Sequence, residues 1–128
     1  MSHSALQFTK YLMATQQILG EEGENIAIQH YLNRGYELVY KNFRYRKGEI
    51  DLIFKKGNWL IFSEVKLRSN TYFGQPEKFV SKSQLNLIKK TAEAYIFQVN
   101  WQGNIRFDII AIVKNSSKFE IMHFEDVY

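Results

Sequence analysis

None of the 128 residues is a cysteine, which excludes disulfide staples, thiolate zinc sites and cysteine nucleophiles. The three histidines, His3, His30 and His123, are scattered and show no metal-ligand spacing. There is one proline, Pro76, and no low-complexity tract, so disorder is expected at most near the ends. No apolar run approaches the roughly 20 residues that a membrane-spanning helix needs. The N-terminus has no basic segment followed by an apolar stretch, so no secretory signal is expected and the cytoplasm is the expected compartment. What remains is the profile of one soluble globular domain over 1–128, long enough for a single core. Residues 1–20 read as a helical extension that is loosely attached.

Charge is present but uneven. The net value is +4. Residues 34–90 hold thirteen Lys/Arg and five Asp/Glu, a balance of +8, while the segments on either side are each at −2. A basic middle of this kind is either a phosphate-binding surface or a solvated lysine-rich one, and charge alone does not separate the two.

Periodicity places the elements. Ile26, Ile28, Tyr31 and Leu32 suit an amphipathic helix from Glu21 to Arg34, with Gly35 where a helix C-terminal cap belongs. Tyr36–Tyr45 reads as an aromatic-rich strand with Arg44 and Arg46 on one face, followed by a Lys47-Gly48 turn. Glu49–Phe54 is a second strand, and Gly57-Asn58 a turn. Trp59–Leu67 is a third, apolar on both faces over Trp59–Phe62 and so expected to be central and buried. A loop over 68–80 contains Phe73 and Gly74. Ser81 and Gln84 fit a capping box for a helix whose stripe is Leu85, Ile88, Ala92, Tyr95 and Ile96. Ile105–Val113 and Phe119–Phe124 complete the set. Helix, three strands, helix, two strands predicts an α/β sandwich around a mixed sheet.

The chemistry concentrates in Gly48-Glu49-Ile50-Asp51-Leu52-Ile53 and Phe62-Ser63-Glu64-Val65-Lys66. Glu64 and Lys66 are two apart and share a strand face, at the end of an apolar run. Charges there are costly unless paired or bound to a metal. A hairpin through Gly57-Asn58 brings Asp51 close to Glu64. Two carboxylates and a lysine at one sheet end suit a hard divalent ion, Mg²⁺ or Mn²⁺. Asp51 and Glu64 are the expected metal ligands, and Lys66 the expected electrostatic stabiliser of a phosphodiester transition state.

Asp51, a gap of twelve residues, then Glu64-x-Lys66 resembles the PD-(D/E)xK nuclease superfamily, with Ile50 where the usual proline stands. The wider pattern resembles more closely the YraN-like bacterial family, itself similar to archaeal Holliday-junction resolvases. The segments that carry this are Gly23–Ala27, Tyr31-Leu32-x-x-Gly35-Tyr36, Asn42-Phe43-Arg44, Gly48–Ile53, Glu64-Val65-Lys66-x-Arg68, Phe73-Gly74 and Arg106-Phe107-Asp108. The resemblance implies a restriction-endonuclease-like three-layer fold with helices flanking a mixed sheet. It also implies that Glu24 completes the acidic cluster, and that Gln84 lies where related nucleases carry a helix residue near the scissile phosphate, though a capping role explains Gln84 equally well.

Arg44, Arg46, Lys47 and Arg68 are the expected phosphate contacts. Tyr40, Phe43 and Tyr45 are interleaved with them, and burial in the core is the simpler use of these aromatics. Arg106 and Asp108 read as a structural salt bridge, Glu49 as a rim residue, and His30 and His123 as surface or packing residues. The function expected is a metal-dependent DNA endonuclease or resolvase, structure-directed or weakly sequence-specific, with a homodimer implied only by analogy with resolvases. The alternatives are a non-catalytic nucleic-acid-binding module on a nuclease fold and a protein-interaction adaptor.

Overall fold

A computed structural model describes residues 20–68, 81–115 and 117–128, the side chains of Arg68 and Asn115 excepted. The expected extension over 1–20, apart from Gly20, and the expected loop with Phe73 and Gly74 lie outside these residues. Helix α1 covers residues 20–32. It is followed by β1 (Glu37–Tyr45), β2 (Gly48–Lys56), β3 (Trp59–Arg68), α2 (Lys82–Val99), β4 (Asn104–Asn115) and β5 (Lys118–Phe124). The five strands form one sheet in the order β1-β2-β3-β4-β5. β1, β2 and β3 form an antiparallel meander, β4 runs parallel to β3, and β5 returns antiparallel. α2 is thus the crossover that a parallel neighbour requires. Among the described residues no helix is long and apolar enough to cross a membrane.

Each face of the sheet carries a helix, which gives an α/β arrangement in three layers. On the α2 side Phe43, Ile50, Ile53, Leu60, Phe62 and Ile109 pack with Ile88, Ala92 and Tyr95. On the α1 side Leu52, Phe54, Ile61, Ile110 and Ile112 pack with Ala27 and Tyr31. The α1 stripe is centred on Gly23, Ala27 and Tyr31, at four-residue spacing, and Leu32 points outward at 42% exposure. The expected stripe thus holds at Tyr31, with Ile26 and Ile28 packed beside it, and fails at Leu32. Trp59 also departs from expectation: it is 44% exposed at the start of an otherwise buried run.

The caps formed as the sequence indicates. Gly35 adopts φ +86°, its N–H donates to Leu32 O and Tyr36 N–H donates to Tyr31 O, so the last turn of α1 closes with glycine in the left-handed region. At α2, Ser81 Oγ accepts the N–H of Gln84 at 3.2 Å.

Two local features position the site. Tyr45 pairs with Gly48, so β1 and β2 are joined by the two residues Arg46 and Lys47, and Arg46 has φ +54°. Arg46 thus lies in the hairpin turn and does not share a strand face with Arg44, a correction to the strand reading that placed the turn one residue later. The other feature is a reset of the strand alternation. Tyr40 and Phe43, three apart on β1, both pack on Tyr95, and Ile50 and Ile53, three apart on β2, both join the α2-side core. Regular strands would send residues three apart to opposite faces. The reset falls at Asn42, which has φ +56°, and at Asp51 on the neighbouring strand.

Candidate functional site

β2 and β3 pair from Lys56–Trp59 up to Leu52–Ser63, and the ladder then stops. The next facing pair in that register is Asp51 and Glu64. Beyond the last rung, the N–H of Val65 is taken by the Asp51 side chain, Oδ2 accepting at 2.8 Å. The strands thus part where the two carboxylates stand, and a side chain replaces a backbone acceptor. Asp51 and Glu64 line one cavity of about 240 Å³ between the sheet and the start of α2, with Lys47, Glu49, Gln84 and Leu87 among its other walls. Gly48 lets α2 approach: a Cβ there would collide with Thr91 Oγ1 and press on Leu87 O.

Glu64 is 7% exposed, and its Oε1 is buried with no hydrogen-bond partner among the described residues. Burial is the largest influence on this carboxyl, and the Asp51 charge adds to it. Lys66 pulls the other way, and the net result is a Glu64 pKa pushed up to about 8. Burial also raises Asp51, against the Val65 N–H and Lys66 and with the charges of Glu24 and Glu49. The pair therefore holds at least one proton near neutral pH while no cation is present.

Glu24 stands on the flank. Its carboxylate is 3.7 Å from Lys41 Nζ. With its amide nitrogen turned toward the acids, Asn42 donates to Glu24 Oε1 and Glu49 Oε1 at 3.3 Å each. In the sequence Asn42 stands out only as part of the Asn42-Phe43-Arg44 motif. Its signal was a residue tolerant of the left-handed region within an aromatic strand. Among the described residues no three His, Cys, Asp or Glu side chains form a closed metal-holding group. Asp51 and Glu64 thus make an open pair, and Glu24 acts on it through its charge.

The expected phosphate contacts are dispersed. Lys47 lines the cavity. Arg44 is exposed and 3.6 Å from Glu49. Arg46 lies over the Tyr45 ring, 5.2 Å from its centroid. The Arg68 side chain is outside the described residues. The Gln84 backbone N–H donates to the helix cap at Ser81 Oγ, and the residue lines the cavity beside Asp51 and Glu64. Of the interleaved aromatics Phe43 is buried, whereas Tyr40 and Tyr45 are 44% and 40% exposed, so the core expectation holds for one of three. Sequence reasoning missed Tyr128. Its hydroxyl is also buried without a partner among the described residues, and burial, with the Glu64 charge behind it, pushes its pKa up to about 12.

The opposite face holds a polar network. Arg106 grips Asp108 through Nε and Nη2, both at 2.8 Å, and His123 Nε2 is 2.8 Å from Asp108 Oδ2. Tyr31 donates to Asp108 Oδ2 and contacts Ser63 Oγ, each at 2.9 Å, and the Asp126 N–H adds a bond at 3.1 Å. Burial alone would raise Asp108. The bonds from His123, Arg106 and Asp126 outweigh it and hold the carboxyl at about 2. The Arg106–Asp108 bridge is thus structural, as expected. His30 and His123 are 3.1 Å apart and join this packing.

Comparison with known proteins agrees with the family resemblance. The model of the Uncharacterised protein family UPF0102, the YraN family, matches residues 23–112. A UPF0102 protein of Christiangramia forsetii is 40% identical over 116 residues, covering 91% of this chain and 98% of its own length. One of Cytophaga hutchinsonii is 46% identical over 103 residues, covering 80% and 91%. One of Thermodesulfovibrio yellowstonii is 43% identical over 110 residues, covering 86% and 95%.

Proposed function

Starting from the fact that this chain belongs to the UPF0102 family, we propose that it is a metal-dependent nuclease of the restriction-endonuclease-like type, hydrolysing DNA phosphodiesters in a structure-directed or weakly sequence-specific way. The observation that carries this reading is the unpartnered, buried Oε1 of Glu64 beside Asp51. A buried carboxylate oxygen left unpaired is costly, and a hard cation removes that cost with the oxygen ligands it prefers. Asp51 and Glu64 would hold Mg²⁺ or Mn²⁺. The chemistry such an ion supplies is Lewis-acid polarisation of the phosphodiester and a more acidic attacking water.

The chain's own residues supply the rest. The Val65 N–H fixes the Asp51 carboxylate against the parted strands. Lys66 stabilises both carboxylates and brings positive charge to where phosphorane-like negative charge develops. Lys47, on the cavity wall, suits a substrate phosphate. Asn42 ties Glu24 and Glu49 together on the flank. Action on two strands calls for a homodimer, as in resolvases.

The test is cleavage of branched, nicked, single-stranded and duplex DNA, and of RNA, with Mg²⁺, Mn²⁺ or chelator. Metal-dependent cleavage lost in Asp51→Asn and Glu64→Gln is the expected result, and silence on every substrate sinks the reading. A non-catalytic nucleic-acid-binding module is the second reading, favoured by the lack of a closed three-ligand group among the described residues. It predicts salt-sensitive binding that ignores chelator.

A further inference from the structure

Phe97 is 89% exposed on α2, an unusual position for a large apolar ring. It borders a groove of about 790 Å³ that runs to the β1–β2 turn, where Tyr45 forms the facing aromatic wall. Arg46 and Lys90 lie in the same groove against one acid, Glu93. The Arg46 guanidinium covers one side of the Tyr45 ring at 5.2 Å. Lys47, the next residue of the turn, lines the Asp51–Glu64 cavity. The groove and the acidic site are therefore lined by consecutive residues of one two-residue hairpin, Arg46 and Lys47, and the groove's charge is of the sign that attracts phosphate.

We infer that this groove binds unpaired nucleotides, with bases stacked on Phe97 and Tyr45 and the backbone held by Arg46 and Lys90. The inference rests on the nuclease reading for its direction, since it names the form of substrate that the site next to it would receive. Aromatic rings interleaved with cations suit single strands, because every base has a π-face whereas a duplex hides it. A rigid duplex would meet the cations but leave Phe97 without a partner.

The experiment is binding of fluorescein-labelled oligothymidylate, oligouridylate and a blunt duplex to the full chain in EDTA. Phe97→Ala and Tyr45→Ala are each expected to weaken single-strand binding at least about fivefold while leaving duplex binding within about twofold of wild type. Phe97→Trp should restore the single-strand affinity. Preference for one oligonucleotide over the other, whether through sugar or base methyl, supports the groove equally. The inference is overturned if the wild type binds no single strand, if single-strand and duplex binding fall together, or if neither falls. It is also overturned if Phe97→Ala turns a dimer into a monomer with oligonucleotide affinity intact, which would assign the ring to a second copy of the chain. Cleavage assays separate the two readings. Metal-dependent cleavage with no effect of Phe97→Ala on binding removes the groove and keeps the nuclease. Selective loss of single-strand binding in a chain that cleaves nothing keeps the groove and removes the nuclease.

Discussion

The N–H of Val65 donates to Asp51 Oδ2 at 2.8 Å, one step beyond the last rung of the β2–β3 ladder at Leu52–Ser63. The backbone of β3 thus sets the direction of the carboxylate on β2, and Glu64, next to Val65, is turned toward the same cavity. Strand separation and site geometry are one feature. Continuing the ladder would remove the space between the two acids.

Glu64 makes the cation-free protein pH-sensitive. Its folded pKa, about 8, is above the ordinary value of 4.5. Its contribution to stability is complete below that ordinary value and is lost as pH rises through 8. Thermal unfolding in EDTA should show the wild type losing stability across this window, by a few kcal/mol. Glu64→Gln should be flatter and more stable than wild type at the alkaline end. Parallel profiles for the two proteins would contradict the burial of an ionising Glu64.

Cation binding should release a proton. The Glu64 carboxyl must ionise to become a ligand. Calorimetric titration with Mn²⁺ at neutral pH, in buffers of different ionisation enthalpy, is expected to show release of about one proton per ion. The release should fade as pH passes 8, where Glu64 is already ionised. Glu64→Gln should abolish it and weaken binding.

Asp108 predicts the acid limb of stability. Its folded pKa of about 2 is below the ordinary value of 3.8. The stability it contributes is present above 3.8 and lost as pH falls toward 2. Asp108→Asn leaves Arg106 without its carboxylate in a half-buried position, and denaturant unfolding at neutral pH should show a loss of about 3–5 kcal/mol.

Gly48→Ala should be destabilised by about 1–3 kcal/mol, because the added methyl group meets Thr91 and the α2 backbone. A second change, Thr91→Ala, removes the obstructing Oγ1 and should recover some of the loss in the same unfolding measurement. If Gly48→Ala is neutral, α2 does not pack against the start of β2 as closely as described.

Asn42 separates strain from chemistry. At φ +56°, Asn42→Gly removes the conformational cost and the amide together, whereas Asn42→Ala removes the amide and adds strain of about 1–2 kcal/mol. Both variants should lower Mn²⁺ affinity to a similar degree, because both release Glu24 and Glu49. Only the alanine variant should lose stability beyond that. Unchanged affinity in both would confine Asn42 to a backbone role.

The sequence by itself determined the elements, the family and the identities of the central pair. Hydrophobic period, Gly35, Ser81 and the Gly57-Asn58 turn act within a few residues of themselves, so they are legible from local spacing. The same spacing placed Asp51 opposite Glu64, since a hairpin register follows from its turn. Tertiary structure decided what depends on neighbours far along the chain. Strict alternation would have kept Ile50 and Leu52 on one face; the left-handed Asn42 and the parted ladder put them on opposite faces. The Glu64 proton, the place of Glu24 beside Lys41, the exposure of Phe97 and Tyr45, and the burial of Tyr128 all depend on α1, α2 and the chain end meeting the sheet. Burial and electrostatics are sums over everything packed around a group, and no window of sequence contains that sum.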